Sequence, residues 1–344
     1  MFLFENGERG KMELIIRNRQ EEYEINLQPI TQLCGLNLLK KKYILDSLCK
    51  HFSNTRYASY EEEMRENVYY AGGILGRKYF KVYRISNREN LLSAIKISKS
   101  SLMMQYLTSQ YNRFEYQEII QEIKDRLDQL FLKINEDMVG QFSYIEINHE
   151  MKALMEVIQT SEAYGRGEKE LEVLSNYELL CTYVDLLYEI IQFEPENILL
   201  ILENIDHFLE YTDYVLLMKK LEKITQSSDF QCICSSGIQD YVMIDSNRIE
   251  GIHVINDEIF RFPEMEKVRD FIKRNYPCER QWQDDEIYRL LQNIIHDIGR
   301  ESYGRSLRSE VLLQLFNDTF GLKKWGKTEL NQIEKAFLER GDML

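Results

Sequence analysis

The sequence predicts an α/β fold with a mainly parallel sheet, and three observations carry this prediction. The run Ile198 to Leu202 contains only aliphatic residues, as does a strand buried on both faces of a parallel sheet. A helical pattern and a second apolar run, Phe230 to Cys234, follow it in the order of a β-α-β crossover. Nearer the start, Gly35-Leu36-Asn37 separates a short apolar run from an amphipathic helix, which predicts a further strand-turn-helix unit.

The first 86 residues read as the N-terminal part of this α/β head. Three β-type runs predict a small meander that feeds a buried strand: Met12 to Arg17, Glu22 to Leu27 and Ile30 to Cys34. Apolar residues then recur with helical spacing from Leu38 to Phe52. The glycines between Val68 and Ile85 predict a hairpin or a pair of short strands.

Helical patterns dominate residues 87–194, which we predict to form a mostly helical lid domain. Its clearest helix spans Glu115 to Ile134, and Tyr177 to Phe193 forms another before Pro195. Residues 195–262 return to β-type runs and complete the head, with Cys232 and Cys234 predicted to point to one face of a strand. Beyond Pro263 only helical patterns occur, so residues 263–344 are predicted to be an appended helical module.

Composition narrows the class of protein. The chain of 344 residues is 44% hydrophobic, carries a formal charge of -14 and contains six cysteines without metal-binding spacing. No apolar stretch approaches the ~20 residues that a membrane span needs. We therefore expect a cytoplasmic protein with reduced thiols and no membrane association.

The turn at Gly35 can be compared with a P-loop, G-x-x-x-x-G-K-[ST], in which backbone N–H groups surround phosphates. In the stretch Gly35 to Lys42, only Gly35 and Lys41 fit this pattern. Lys40 replaces the second glycine, and Lys42 replaces the hydroxyl that would hold magnesium. Both changes predict a damaged nucleotide site.

The second half of such a site would be an acid after an aliphatic strand, followed in many ATPases by a catalytic glutamate. Glu203 ends the run Ile198 to Leu202, but Asn204 stands where the catalytic acid would be. The sequence thus predicts a degenerate P-loop ATPase-like head that binds no ATP and is not an enzyme. A working nucleotide-binding ATPase remains the alternative, as does a scaffold that binds only proteins.

Basic residues are segregated between Gly76 and Arg113, where Glu89 is the single acid. Such a segment is typical of a phosphate-contacting surface. The candidate DNA-binding residues are Arg77, Lys78, Lys81, Arg84, Arg88, Lys96 and Lys99, together with Lys40, Lys41 and Lys42 at the start of the first helix. A solvated helix face is the alternative for the three lysines, and core packing is the alternative to base stacking for Tyr79, Phe80 and Tyr83.

A candidate metal site lies further along. Glu146, Asn148 and Glu150 alternate, so on a strand their oxygen donors share one face and could bind calcium. Exposed polar side chains are the alternative.

The order of these elements resembles a CRISPR adaptation family, Csn-two of type II-A systems, in its long form. The resemblance rests on six stretches of this sequence: Ile85 to Ile134, Tyr144 to Asn148, the helix before Asn197, Ile198 to Leu202, Glu203 to Leu209, and Gln239-Asp240-Tyr241. It implies a P-loop ATPase-like head with a helical lid, assembled as a ring-shaped homotetramer whose basic hole encircles the ends of double-stranded DNA. It also implies calcium binding, no working nucleotide motif, and a role in spacer acquisition beside the adaptation integrase and the effector nuclease.

Overall fold

The computed structural model describes residues 12–19, 21–53, 56–70, 73–139, 152–227, 229–238, 240–277, 282–300 and 306–322. The chain divides into two compact units. The head unit comprises Met1–Arg84, Ile198–His207 and Phe230–Leu344, and the helical unit comprises Ile85–Asn197 and Phe208–Asp229.

The β-strands are β1 Met12–Asn18, β2 Glu21–Leu27, β3 Ile30–Cys34, β4 Val68–Tyr70, β5 Gly73–Ile74, β6 Lys81–Ile85, β7 Ile198–Leu202, β8 Phe230–Ser235, β9 Ile252–Ile255 and β10 Ile259–Arg261. The α-helices are α1 Leu38–Phe52, α2 Arg88–Ile95, α3 Leu102–Tyr111, α4 Phe114–Val139, α5 Lys152–Thr160, α6 Asn176–Phe193, α7 Tyr211–Ser227, α8 Met265–Asn275, α9 Asp284–Ile294 and α10 Leu307–Asp318. The three N-terminal strands, the strand-turn-helix unit at Gly35 and the short strands around the glycines are therefore confirmed.

The main sheet has the strand order β10-β9-β3-β8-β7-β6. Strand β3 runs parallel to β8 and β9, and β7 runs parallel to β8, with Ile30 and Leu200 both opposite Cys232. Strand β10 pairs antiparallel with β9. Because β3, β7, β8 and β9 are parallel, their carboxyl ends meet at one edge of the sheet, which we call the carboxyl edge.

A second sheet, in the order β2-β1-β4-β5, is antiparallel. Its inward side chains share one core with α1 and the main sheet, formed by residues such as Leu14, Ile16, Ile25, Ile44, Leu48, Leu199, Ile201 and Ile233. Phe80 is buried in this core against Phe52, with ring centroids 5.2 Å apart, and Tyr79 packs edge-on against Phe80. These contacts support the core-packing interpretation of both rings.

The C-terminal helices α8, α9 and α10 are part of the head unit rather than a separate module. Their apolar residues share a second core with Cys34, Ile252 and Val254 of the main sheet. The expected boundary at residue 263 therefore has no counterpart in packing, because these helices bury their apolar faces against the sheet. The helical pattern at Glu329 to Leu338 lies outside the described residues.

The helical unit is organised around α6, whose residues Leu179, Leu180, Val184 and Leu187 are buried. Ser175 caps this helix in a capping box with Glu178. Helices α2, α3 and α7 contact α6. Within the described residues, we find no helix with both the length and the apolar character to cross a bilayer.

Candidate functional site

The turn between β3 and α1 lies at the carboxyl edge of the main sheet. At position 35 the backbone of this turn adopts a conformation that only glycine fits. Gly35 has a φ of +94°, and a Cβ atom there would lie 2.5 Å from the Ile255 carbonyl oxygen. Helix α1 begins after Asn37, whose side-chain oxygen accepts a hydrogen bond from the Lys40 N–H at 3.0 Å. The helix N-terminus is therefore capped by a side chain of the chain itself.

The backbone N–H groups of this turn donate to acceptors within the head unit. Leu36 donates to the Asn256 side-chain oxygen at 2.7 Å, and Asn37 donates to the Ile255 carbonyl at 3.1 Å. The N–H groups of Leu38 and Lys41 donate to the carbonyls of Leu36 and Asn37. In a P-loop such amides surround a phosphate, whereas here protein oxygens accept them.

Asn256, at the end of β9, connects this turn to the C-terminal helices. Its side-chain nitrogen donates to the carbonyls of His296 and Ile298, at 2.8 and 2.7 Å, while its oxygen accepts from Leu36. The residue is 2% exposed. One buried carboxamide thus joins three segments of the head unit through satisfied hydrogen bonds.

Lys41, at the position of the phosphate-binding lysine, is also turned inward. Its ammonium donates to the carbonyl oxygens of Gly35 and Ser236, at 2.8 and 2.6 Å, and the residue is 2% exposed. Burial lowers the pKa of Lys41. As placed here, Lys41 offers no exposed charge to a phosphate, so the structure gives no support to the prediction that it contacts DNA.

Asp206 holds the turn after β8 at the same edge. One of its carboxylate oxygens accepts the N–H groups of Gly237 and Ile238, at 2.8 and 2.7 Å. The residue is 7% exposed, and its charge acts favourably on Lys41. Lys41 and Asp206 therefore both fix the backbone that follows β8.

An ion-pair cluster lies beside the turn. Arg84, in β6, donates to Glu203 at 2.9 Å and to Asp46 of α1 at 2.7 Å. Lys42 pairs with the other oxygen of Asp46 at 3.1 Å. Burial opposes the charge of Arg84, but the hydrogen bonds to Asp46 and Glu203 outweigh it and raise the pKa of this guanidinium. We call Asp46, Arg84 and Glu203 the arginine bridge.

Lys40, the remaining lysine of the helix start, donates to the Asp257 carbonyl at 2.8 Å and lies 3.7 Å from a carboxylate oxygen of Glu21. The ammonium groups of Lys40 and Lys42 are therefore both paired with oxygen atoms of the protein. The DNA-binding role predicted for Lys40, Lys42 and Arg84 stays a prediction, and each would have to exchange a partner within the chain for a phosphate.

Several cations of the basic segment bind protein oxygens in the same way. Arg77 donates to the carbonyls of His51 and Ser53 and lies over the Tyr57 ring, 5.3 Å from its centre. Its side chain therefore holds backbone segments of the head unit.

In the helical unit, Arg88 donates to the Asn176 side chain and to the carbonyls of Glu172 and Leu174, at 2.6 to 2.8 Å. Lys96 forms an ion pair with Glu172 at 2.5 Å. Arg88 therefore binds the first residue of α6 and the segment before it, whereas Lys96 forms an exposed ion pair with that segment.

Lys78 and Lys99 differ from these residues. Both are exposed, and neither has a hydrogen-bond or ion-pair partner among the residues that the structure describes. Lys78 belongs to the head unit and Lys99 to the helical unit, while Lys81 is half-buried. Of the predicted DNA-binding residues, Lys78 and Lys99 carry the charges that are available to a phosphate without rearrangement.

The predicted calcium ligands Glu146, Asn148 and Glu150 lie outside the described residues. Within the described ranges, no group of three or more His, Cys, Asp or Glu side chains could hold a metal ion. Calcium binding stays a prediction.

Sequence reasoning missed Asn256 and the arginine bridge. The pattern that finds Glu203, a polar residue directly after an aliphatic strand, also finds Asn256 after β9. Nothing local indicates that Arg84 binds Glu203, because the two are 119 residues apart.

The head unit thus defines the class of protein: an α/β protein with a largely parallel sheet, whose turn at Gly35 has its backbone amides and the Lys41 ammonium bound internally. A family model described as "CRISPR-associated protein Csn2 subfamily St" matches residues 15–323, so the chain belongs to this CRISPR-associated family. The expected family is confirmed.

One solved structure agrees on the fold. The crystal structure of Stu0660 of Streptococcus thermophilus is similar with a TM-score of 0.83 and 18% identity, over 96% of this chain and 99% of that chain. The Smc head domain of Pyrococcus furiosus, bound to the C-terminal domain of ScpA, gives a TM-score of 0.41 and 10% identity over 77% of this chain and 99% of that one. No curated protein matched the chain in sequence.

Proposed function

We propose that this protein binds the ends of double-stranded DNA without catalysing a reaction and acts in CRISPR spacer acquisition. Membership of the Csn2 family supports the CRISPR role. The observation that carries the non-catalytic part is the internal bonding of the turn at Gly35, where Asn256 and Ile255 accept N–H groups that a phosphate would need.

Nucleotide binding would require several of these bonds to break together. A phosphate at the turn would displace the Asn37 cap and the Asn256 oxygen, and Lys41 would have to leave two carbonyls inside the protein. Each buried group left without a partner costs about 1–3 kcal/mol. The chain also lacks a catalytic acid at Asn204. These costs favour a head that works without ATP.

The DNA-binding part rests on phosphate contacts rather than base readout. Lys78 and Lys99 supply exposed charges, and the overall charge of -14 leaves the remaining surface unfavourable to DNA. Phosphate contacts carry no sequence information, so binding should be independent of sequence and should weaken as salt rises.

The proposal includes an assembly and partners. In the cytoplasm, a homotetramer would form a ring around the duplex, calcium would support it, and the adaptation integrase and the effector nuclease would act beside it. The family resemblance supports these elements, and light scattering with and without a calcium chelator tests the assembly.

The test compares linear duplex with a covalently closed circle of equal length, titrated against the protein at several salt concentrations. We expect the linear duplex to bind far more tightly, because a circle has no end to thread. Lys78→Ala/Lys99→Ala should weaken all linear duplexes alike and flatten the log-log salt dependence by about 0.9 for each phosphate that the protein no longer neutralises.

The matched control is Lys219→Ala/Lys273→Ala, which removes one exposed lysine from each unit outside the basic segment. It should leave both affinity and salt dependence near those of the unmodified protein. Equal binding of linear and circular DNA would exclude end threading. No DNA binding at moderate salt would favour a protein-only scaffold, and magnesium-dependent ATP hydrolysis that Lys41→Ala abolishes would favour an ATPase.

A further inference from the structure

Four apolar side chains are exposed at the carboxyl edge, beside the turn whose polar groups are bound internally. Leu36, Leu38 and Leu39 are 44%, 58% and 82% exposed, and Ile238, which follows β8, is 49% exposed. The Leu38 side chain lies 4.0 Å from the position that a Cβ atom on Gly237 would take, so the start of α1 and the turn after β8 are adjacent. We call Leu36, Leu38, Leu39 and Ile238 the apolar patch.

The backbone of the patch is already bound within the chain. The N–H of Leu36 donates to the Asn256 side chain, and the N–H of Ile238 donates to the Asp206 carboxylate, both at 2.7 Å. This edge of an open α/β sheet is where ligands bind in other proteins. Here its polar groups are satisfied from inside while apolar side chains are exposed, and apolar side chains that are exposed together mark a surface that another segment or protein covers.

The last residues that the structure describes lie close to the same edge. The Phe320 ring packs against Phe260 of β10, with centroids 5.8 Å apart. Hydrogen bonds of 2.7 to 3.3 Å lead from the end of the described chain back to the turn in five steps: Leu322 to Asn317, Asn317 to Gly299, Gly299 to Glu258, Glu258 to Asn256, and Asn256 to Leu36. Residues beyond Leu322 therefore start near the apolar patch.

Residues 323–344, which we call the C-terminal segment, carry a sequence pattern that suits this patch. Four of its apolar residues recur with helical spacing: Leu330, Ile333, Phe337 and Leu338. The residues between Leu322 and Glu329 span about 20 Å when extended, so the pattern can reach the carboxyl edge from the end of the described chain.

The charges of the two surfaces also correspond. Lys42 lies one helical turn beyond Leu38 on α1, and its side chain is 62% exposed although it pairs with Asp46. In the C-terminal segment, Glu334 is four residues after Leu330, so on a helix it shares the apolar face. The segment therefore combines apolar residues with an acid, and the patch combines apolar residues with a bordering lysine.

We propose that the C-terminal segment binds the apolar patch of its own chain and covers the carboxyl edge. Its apolar residues contact the exposed leucines at the start of α1 and Ile238 after β8. The segment thereby acts as an internal ligand at the edge where other open α/β sheets bind external ones. The inference does not depend on DNA binding.

Hydrogen exchange of the full-length protein, measured by mass spectrometry, tests the proposal. A short helix is marginal in water by itself, so slow exchange between Glu329 and Leu338 requires that these residues pack on another surface. We expect exchange there to be at least about ten times slower than in a synthetic peptide of residues 323–344.

Two variants remove the contact from opposite sides. Leu38→Ser/Leu39→Ser changes two exposed side chains of the patch, so the head should stay folded while the C-terminal segment exchanges as fast as the peptide. Ile333→Ser/Phe337→Ser should have the same effect from the side of the segment. The control is Ile74→Ser, which changes a side chain of the head unit that is 51% exposed in β5, outside the patch, and should leave the exchange unaltered.

Three results would overturn the proposal. The first is exchange in the unmodified chain as fast as in the peptide. The second is slow exchange that persists in Leu38→Ser/Leu39→Ser, because the segment would then bind elsewhere. The third is slow exchange that disappears on dilution of the protein, because the patch would then bind the segment of a second copy. If the patch variant does not fold, slow exchange that persists in the folded variant Ile333→Ser/Phe337→Ser excludes the apolar contact, and its loss there supports it.

Discussion

Two regions of the molecule differ in how their cations are bound. In the turn region from Gly35 to Lys42, the cationic side chains bind oxygen atoms of the head unit. In the basic segment from Gly76 to Arg113, some cations bind oxygen atoms of the protein and others are exposed to solvent. Lys41 is buried on two carbonyls, and Lys40 and Lys42 each bind a neighbouring oxygen. In the basic segment, Arg77, Arg84, Arg88 and Lys96 are bound within the chain, while Lys78 and Lys99 are exposed.

This difference shows that a strand-turn-helix unit can be held by the core while its polar groups are bound within the chain. The strand, the glycine turn and the helix remain because the core needs them. The groups that would hold a phosphate are bound by Asn37, Asn256 and backbone carbonyls. The presence of a cation in the sequence therefore does not show whether its charge is available to a ligand or is already bound within the chain.

The largest effect should come from the turn itself. Gly35→Ala forces a side chain to a φ of +94° and places its Cβ 2.5 Å from the Ile255 oxygen. We expect a loss of about 4 kcal/mol in the free energy of unfolding, or no folded protein, because strain and overlap act together. Urea unfolding followed by circular dichroism measures the loss.

The control for this change is Gly321→Ala, also in the head unit, where φ is +68° but nothing lies within 4 Å of the added atom. It should cost about 1 kcal/mol from the backbone conformation alone. Equal losses for both variants would mean that the close approach to Ile255 contributes nothing and that the turn is not held as tightly as its hydrogen bonds indicate.

The sequence predicts the scaffold of this site well and its hydrogen bonds poorly. Strand β7 and the crossover to β8 follow from aliphatic runs, because burial on both faces leaves a local pattern. The bond between Leu36 and Asn256 joins residues 220 apart, and no local pattern encodes such a pair. For the same reason, counting charges finds the basic segment but does not distinguish Arg88, which is bound, from Lys99, which is exposed.

The second-largest effect is a pH-dependent loss of stability caused by His253, which lies near the turn. His253 in β9 is 0% exposed, and its ring nitrogen accepts the Asn26 N–H at 2.9 Å. Burial lowers the pKa of His253 to about 4, below the value near 6.5 of the unfolded chain. Between these values the unfolded state binds more protons, so stability is complete above about pH 6.5 and is lost as pH falls toward 4.

The loss from His253 should reach about 3 kcal/mol across that range. His253→Gln keeps an acceptor for Asn26 but cannot be protonated, so its free energy of unfolding should fall less steeply between pH 6.5 and 4. The measurement is the difference in slope between the two proteins, which cancels the contribution of other titrating groups. Identical slopes would show that folding does not lower the pKa of His253.

The smallest effects concern the difference between bound and exposed cations of the basic segment. In the helical unit, this difference can be tested by comparing Arg88, which is bound, with Lys99, which is exposed. Arg88→Ala removes charged hydrogen bonds to the Asn176 side chain and to the carbonyls of Glu172 and Leu174, so it should cost about 2 kcal/mol. Lys99→Ala removes an exposed charge without a partner in the described chain and should change stability by less than about 0.5 kcal/mol.

Affinity for a linear duplex, measured at a temperature where both variants are folded, should show the reverse order, because Lys99 is the charge that a phosphate can reach. If Arg88→Ala flattens the salt dependence of DNA binding and Lys99→Ala does not, the bound cations contact DNA by exchanging partners, and exposure in the free protein is no guide to the DNA surface.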